Sequence, residues 1–196
     1  MSPPTTSFGA VEKVKSGDRE AFSALFVKYR RRLVVFLRYK AGPELLASAE
    51  VDDLMQETFL RAFRDIDQFI YQAPGSFWKW LASVATHVVL DAARFQNRQK
   101  RHAGEMARFR SASNPQAPEP LDTKTPTLLL AEKETVAELF KRLDALPEDY
   151  RQAILLAKIE GLSTQEMAER LGKPREAAAL LLHRALKRLR SLAGEA

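Results

Sequence analysis

The residues of this sequence best suited to chemistry lie near its C-terminus, and the chemistry they suit is contact with nucleic acid. Arginine and lysine neutralise phosphates, while arginine, histidine and glutamate can hydrogen-bond to base edges in the DNA major groove. Candidates for such contacts follow Pro174 within one predicted helix: Arg175, Glu176, His183, Arg184 and Lys187.

Two predicted helices must position these side chains. Ser163 and Glu166 have the spacing of a capping box, in which each side chain bonds the backbone amide of the other. Ala168 allows close helix packing, Gly172 suits the left-handed residue after a helix, and Pro174 suits the first turn of the next one. The pattern predicts a helix-turn-helix whose second helix enters a major groove.

The segment Ala177 to Leu182 argues against this interpretation, because it is poor in groups that hydrogen-bond to bases. A plain helical bundle with a basic tail therefore stays open as an alternative.

No pattern in the chain indicates catalysis, a metal site or a cofactor. It has no cysteine, which excludes disulfides and thiolate zinc sites, and its three histidines lie far apart. We find no phosphate loop, zinc-protease histidine pair or nucleophile elbow. No signal peptide is recognised at the N-terminus, and no apolar run approaches the roughly 20 residues of a membrane span. We expect a cytoplasmic protein that is not an enzyme, with no catalytic residues, metal or cofactor.

Charge is distributed unevenly along the chain, whose formal net charge is +6. Lys28 to Lys40 contains six basic residues and no acidic one, whereas Glu44 to Asp67 contains seven acidic and two basic ones. The excess is compatible with a polyanionic partner without requiring one.

Helical periodicity predicts an all-α chain. Asp18 is expected to cap a first long helix that ends near Gly42-Pro43. A second helix begins at Val51, and a third spans about Phe77 to Gln99. The second has one continuous apolar stripe: Val51, Leu54, Met55, Thr58, Phe59, Ala62, Phe63 and Ile66.

A change of composition divides the chain into two small helical domains. Residues 104–127 contain prolines, serines and threonines with little periodicity, and are interpreted as a flexible linker. The domains would then span residues 1–103 and 128–196. Four further helices are predicted: Leu128 to Leu143, Pro147 to Ile159, Thr164 to Leu171 and Pro174 to Leu192.

The order of motifs resembles that of the extracytoplasmic-function (ECF) sigma factors of bacterial RNA polymerase. The resemblance rests on four stretches: Gly17 to Phe22, Val51 to Ala62, Phe77 to Arg94, and Leu146 to Arg190. The string Asp53-Leu54-Met55-Gln56-Glu57-Thr58-Phe59-Leu60 is its most specific part. The resemblance implies sigma region two in the N-terminal domain and sigma region four in the C-terminal one. It also implies promoter DNA and core polymerase as partners.

The resemblance assigns the second helix to the clamp coiled coil of the largest polymerase subunit, and region four to the flap of the second subunit. The implied polymerase-binding residues lie opposite the apolar stripe, with Leu60 expected as an exposed apolar group: Asp53, Gln56, Glu57, Leu60, Arg61 and Arg64. The alternative is an ordinary solvated face. Asp52, Asp53 and Glu57 could also be taken for metal ligands, although a first-turn role at the helix dipole is favoured.

The third stretch would recognise and open the minus-ten element, which requires basic groups and flat side chains for unstacked bases. The candidates are Phe69, Tyr71, Phe77, Trp78, His87, Arg94 and Arg98. Trp80 is expected in the core and Trp78 at the surface. Thr86 and His87 depart from the family pattern, which has a basic residue followed by asparagine.

Region four would bind the minus-thirty-five element. The candidates are Ser163, Thr164, Arg175, Glu176, His183, Arg184, Lys187 and Arg188. The family has polar and basic residues where this chain has Ala179 and Leu181, so the extra leucines could instead serve a protein partner. An anti-sigma protein is hypothesised as that partner. A stand-alone helix-turn-helix regulator and a sigma-like interaction module with weakened promoter binding stay open as alternatives.

Overall fold

A computed structural model describes residues 7–101 and 126–194, with the side chains of 9–98 and 135–194. The regular elements in these ranges are all helical, as the sequence predicts. The chain divides between Thr123 and Lys124 into two compact units, called unit 1 and unit 2. No described helix combines the length and the apolar character that crossing a membrane requires.

Unit 1 is built around a long central helix. Its elements are α1 (Ser7–Lys15), α2 (Arg19–Leu46), α3 (Val51–Arg64), a 3₁₀ turn (Ile66–Gln68) and α4 (Ser76–Arg101). Helix α2 packs against α1, α3 and α4, and α3 also packs against α4. The three long helices predicted from the sequence are therefore confirmed.

Both ends of α2 follow from local chemistry. The Asp18 side chain caps the helix by accepting a hydrogen bond from the Ala21 amide at 3.0 Å. At the other end Gly42 adopts φ 65°, a left-handed conformation that glycine accepts readily, directly before Pro43. The helical path breaks there, as expected, but a further helical turn continues to Leu46.

The predicted apolar stripe of α3 forms much of the unit 1 core. Its buried members are Leu54, Met55, Thr58, Phe59, Ala62 and, in the 3₁₀ turn, Ile66. The only polar group among them, the Thr58 hydroxyl, donates to the Leu54 carbonyl at 2.7 Å and so stays hydrogen-bonded in the core. Phe22 of α2 packs edge-to-face against Phe59 and Phe63.

Helix α1 was not predicted, although Ala10, Val11 and Val14 have helical spacing and are all buried. The Lys15 ammonium, in the last turn of α1, donates to the Phe69 carbonyl at 2.8 Å. This bond connects α1 to the segment that follows the 3₁₀ turn.

Unit 2 contains the four predicted C-terminal helices. They are α5 (Pro126–Asp144), α6 (Glu148–Ile154), which continues as a π-helical turn (Leu155–Glu160), α7 (Thr164–Leu171) and α8 (Arg175–Leu192). The core between α6, α7 and α8 consists of Ala153, Leu156, Met167, Ala168 and Ala178. The predicted linker lies outside the described residues except at its end, since α5 begins at Pro126.

Candidate polymerase and promoter interfaces

The six candidate polymerase-binding residues share the outward side of α3, opposite the buried stripe. Asp53, Gln56 and Arg64 are exposed, whereas Glu57, Leu60 and Arg61 are half-buried. We call this surface the α3 outward face. Leu60 was expected to be an exposed apolar group, but its side chain is partly covered.

Arg61 connects α3 to α4. The Nε atom of Arg61 lies 2.6 Å from Oε1 of Glu57, one turn earlier on α3. The Nη1 atom of Arg61 lies 2.7 Å from Oδ2 of Asp91 on α4. The hydrogen bond from Arg61 lowers the pKa of Asp91. Arg94 lies 3.5 Å from the other Asp91 oxygen. The α3 outward face is therefore held in a fixed orientation to α4 by an ion-paired network.

A groove of about 380 Å³ adjoins the α3 outward face. Its apolar lining comes from three helices of unit 1 and includes Leu45, Leu54, Val88 and Phe95. Charged groups also line it: Asp53, Glu57, Arg61, Asp91 and Arg98. An apolar floor surrounded by charged groups is suited to a partner's apolar side chain flanked by polar ones.

Three of the seven candidate minus-ten residues are buried, so their assignment as DNA-contacting groups is wrong. Phe69, Phe77 and Trp78 belong to the unit 1 core. Trp78, only 2% exposed, is stacked with Tyr29 at a centroid distance of 6.1 Å and meets Phe36 edge-to-face at 5.7 Å. The Arg32 guanidinium lies 4.0 Å from the ring centroid. No face of this ring is available for an unstacked base.

The expected positions of the two tryptophans are reversed. The buried face of α4 is formed by Phe77, Trp78, Leu81, Ala82, Ala85, Val88 and Val89. Trp80 and Val84 lie at its edge and are half-buried. Placing Trp80 in the core and Trp78 at the surface therefore misjudges the rotation of α4 about its axis by about one residue, roughly 100°.

The four other minus-ten candidates are accessible but lie in two places. Tyr71 is 38% exposed in the loop before α4, beside Ile70, which is 76% exposed and was overlooked in the sequence. His87, Arg94 and Arg98 are exposed on one side of α4. Since His87 is eleven residues beyond Ser76, it lies about 17 Å along the helix from the loop. Because of this separation, a nucleic-acid strand would have to run along α4 to contact all four residues.

The helix-turn-helix of unit 2 has the predicted local geometry. The Glu166 amide donates to Ser163 Oγ at 3.3 Å, and the Ser163 amide donates to Glu166 Oε2 at 2.7 Å, which confirms the capping box. Gly172 adopts φ 62°, as expected for a left-handed helix end. Helix α8 follows Pro174 and packs against α5, α6 and α7.

The outward face of α8 carries most of the candidate minus-thirty-five residues. Those exposed on it are Arg175, Glu176, His183, Arg184, Lys187 and Arg188. Thr164 is half-buried, and the hydroxyl of Ser163 already serves as the α7 cap. We call this surface the α8 outward face. Its basic residues Arg175, Arg184, Lys187 and Arg188, together with the exposed Arg190, are suited to DNA phosphates, whereas Glu176 can only accept hydrogen bonds from base edges.

Two small helical units, one ending in a capped helix-turn-helix with a basic outward face, define the class of a DNA-binding regulatory protein. Comparison with known proteins identifies the family. The family model described as "ECF sigma factor" matches residues 9–191.

Curated relatives agree with this match. The ECF RNA polymerase sigma-E factor of Escherichia coli K12 is 30% identical over 173 residues, covering 86% of this chain and 84% of that protein. The RNA polymerase sigma factor CarQ of Myxococcus xanthus is 32% identical over 186 residues, covering 94% and 96%. Among solved structures, CnrH in complex with the cytosolic domain of CnrY aligns over 97% of this chain and 98% of that chain. The identity is 24% and the TM-score is 0.48.

The chain belongs to the ECF sigma factor family. It is an alternative sigma factor that directs RNA polymerase in transcription initiation. Sigma factors are transcription regulators, and RNA polymerase binding is a property of the family.

Proposed function

We propose that unit 1 binds the clamp coiled coil of the largest polymerase subunit through the α3 outward face. The observation that carries this proposal is the division of α3 into two sides. The stripe side is buried in the core, while Asp53, Gln56 and Arg64 are exposed on the opposite side. The Arg61 network fixes this face on α4, and a preorganised surface costs less entropy on binding.

The sigma activity is tested by run-off transcription on fragmented host DNA, using core polymerase with and without the full chain, followed by sequencing of transcript starts. The proposed contact is tested by measuring the affinity of the full chain and its variants for core polymerase. Gln56→Ala should weaken core binding by about tenfold or more if Gln56 is a central contact. Gln68→Ala changes an exposed glutamine outside α3 and is the matched control. Equal core affinity for both variants would place the polymerase contact elsewhere.

We also propose that unit 1 opens the minus-ten element with the accessible residues of the loop and α4. Tyr71 is an aromatic residue that is 38% exposed, which suits stacking on an unstacked base, and His87, Arg94 and Arg98 are exposed on one side of α4. Permanganate footprinting of promoter thymines would detect melting. Tyr71→Ala should reduce it, and unchanged melting would remove Tyr71 from the proposal.

Unit 2 is proposed to bind the minus-thirty-five element through the α8 outward face and to contact the flap of the second polymerase subunit. The residues of the linker, 104–127, would join domains spanning 1–103 and 128–196. Two modest contacts joined by a linker gain avidity even where neither is tight alone. On this proposal the chain works in the cytoplasm without catalytic activity of its own, since RNA synthesis belongs to the polymerase.

An anti-sigma protein that covers the α3 outward face is proposed as the regulator. The groove beside that face supports this, because it offers an apolar floor with charged groups of both signs. The chain should therefore co-purify from its native host with a protein that inhibits run-off transcription and competes with core polymerase. A native preparation without any inhibitory protein would contradict this proposal.

A stand-alone DNA-binding regulator is distinguished by the same measurements. Such a protein would bind DNA without affinity for core polymerase. An interaction module with weakened promoter binding would bind core polymerase but would give no new transcript starts.

A further inference from the structure

The apolar segment Ala177 to Leu182 is divided by the fold into two groups with different surroundings. Ala178 is fully buried, and Leu181 and Leu182 pack against the core of unit 2. They are therefore accounted for by the domain itself. Leu180 points outward and is 49% exposed, the only large hydrophobic residue of the described part of unit 2 that stands exposed.

Leu180 lies in the middle of the α8 outward face. Residues three, four and seven positions apart on a helix are neighbours on its surface. The neighbours of Leu180 at three and four positions are thus Glu176, Ala177, His183 and Arg184, all of them exposed, and the exposed Lys187 lies two turns further on. Apart from the small Ala177, Leu180 is surrounded by groups that bind phosphates or base edges.

The size and charge of this patch favour DNA over a protein as the occupant. A stable protein interface buries about 800 Å² per partner, and its centre is depleted in lysine and glutamate. One leucine among these charged neighbours does not provide such a centre. In the major groove, by contrast, the thymine C5-methyl is the apolar group that base edges present. A helix of about 10–12 Å diameter fits that groove, which is about 12 Å wide.

We propose that Leu180 is a specificity-determining residue that contacts thymine methyl groups in the minus-thirty-five element, called the upstream element below. This inference rests on the proposed binding of that element by α8. Arg184 and Lys187, one and two turns beyond Leu180, supply phosphate or base contacts on its C-terminal side. The sequence of the upstream element would then be selected partly by this apolar contact. Hydrogen bonds to bases would contribute less to the selection than they do for a polar recognition helix.

The experiment uses the full chain bound to core polymerase. Duplexes with a randomised upstream segment are first selected for binding, and thymine should be enriched at one or more positions. Each enriched thymine is then replaced by deoxyuridine, which removes only the methyl group. Loss of one buried methyl contact should weaken binding about fourfold.

Variants connect this effect to Leu180. Leu180→Ala should bind the thymine and deoxyuridine duplexes equally, whereas Leu180→Met should retain most of the discrimination. The matched control is Leu90→Ala, which truncates a leucine of similar exposure, 46%, in unit 1 and should keep the full fourfold effect.

Three results would overturn the inference. These are an upstream element without thymine preference, a wild-type protein indifferent to deoxyuridine, and a Leu180→Ala variant that still discriminates. If Leu180→Ala weakened binding to core polymerase in the absence of DNA, the residue would be assigned to a protein contact instead. If the holoenzyme selects no upstream element, the proposed function of unit 2 fails together with the inference.

Discussion

In unit 1 three of the four aromatic candidates for the minus-ten surface, Phe69, Phe77 and Trp78, lie inside the domain. In unit 2, by contrast, the apolar residue Leu180 lies outside, on the surface proposed to bind the minus-thirty-five element. Trp78 is 2% exposed beneath Arg32, and Leu180 is 49% exposed beside Arg184. Both are apolar residues near basic ones in the sequence. The difference shows that burial, and not residue type, decides which of them can contact a nucleic acid.

The largest effect expected from this comparison is on the stability of unit 1. Trp78→Ala should lower its free energy of unfolding by about 3–5 kcal/mol, because it removes a buried ring packed against Tyr29 and Phe36. Trp80 remains as a fluorescent probe in the same helix, so denaturant unfolding followed by its emission measures the change.

The contrasting variants are Tyr71→Ala and Leu180→Ala, which truncate exposed side chains. Each should change stability by about 0.5 kcal/mol or less. If Trp78→Ala abolished promoter melting with an unchanged unfolding midpoint, Trp78 would be a DNA contact and the contrast between the two units would disappear.

A smaller effect concerns Ser163, which was predicted both as the α7 cap and as a candidate DNA contact. The cap alone predicts that Ser163→Ala destabilises the helix-turn-helix by about 1 kcal/mol. Hydrogen exchange of the α7 and α8 amides measures this loss within unit 2.

Ser163→Asn separates the two roles, because asparagine also caps helices well. Restored protection in Ser163→Asn together with restored upstream-element binding would assign Ser163 to positioning α7. Full protection in Ser163→Ala with weakened DNA binding would show that its hydroxyl acts on DNA.

How far the sequence predicts this molecule depends on whether a local signal fixes the rotation of each helix. For α3, eight positions at steps of three and one define a single core-facing side, and none of the six residues opposite it is buried, although only three of them are exposed. For α7 and α8, the Ser163–Glu166 box and Gly172 fix the start of one helix and the turn to the next.

Helix α4 lacked such a signal. It has large apolar residues at Phe77, Trp78, Trp80 and Leu81, so more than one rotation is consistent with periodicity. The choice is made by α2, whose Tyr29, Arg32 and Phe36 surround Trp78. A contact between residues more than 40 positions apart is not visible in local spacing. For the same reason the Arg61–Asp91 pair was not predicted.

The smallest effect concerns the Arg61–Asp91 pair, which connects the α3 outward face of unit 1 to α4. A partly exposed ion pair contributes about 0.2–1 kcal/mol. A double-mutant cycle with Arg61→Met and Asp91→Asn should therefore give a coupling energy in that range at pH 7. Chemical denaturation followed by tryptophan fluorescence provides all four free energies.

The pH dependence of that coupling has a definite sign. Arg61 lowers the pKa of Asp91, so the folded state binds the Asp91 proton more weakly than the unfolded state, whose carboxyl titrates near 3.9. The coupling should be fully present above that value and should disappear as the pH falls through the lowered pKa. A coupling energy that stays unchanged at a pH where Asp91 is protonated in the folded state would mean that the hydrogen bond from Arg61, and not the charge of Asp91, provides the coupling. The orientation of the α3 outward face would then not depend on the charge of Asp91.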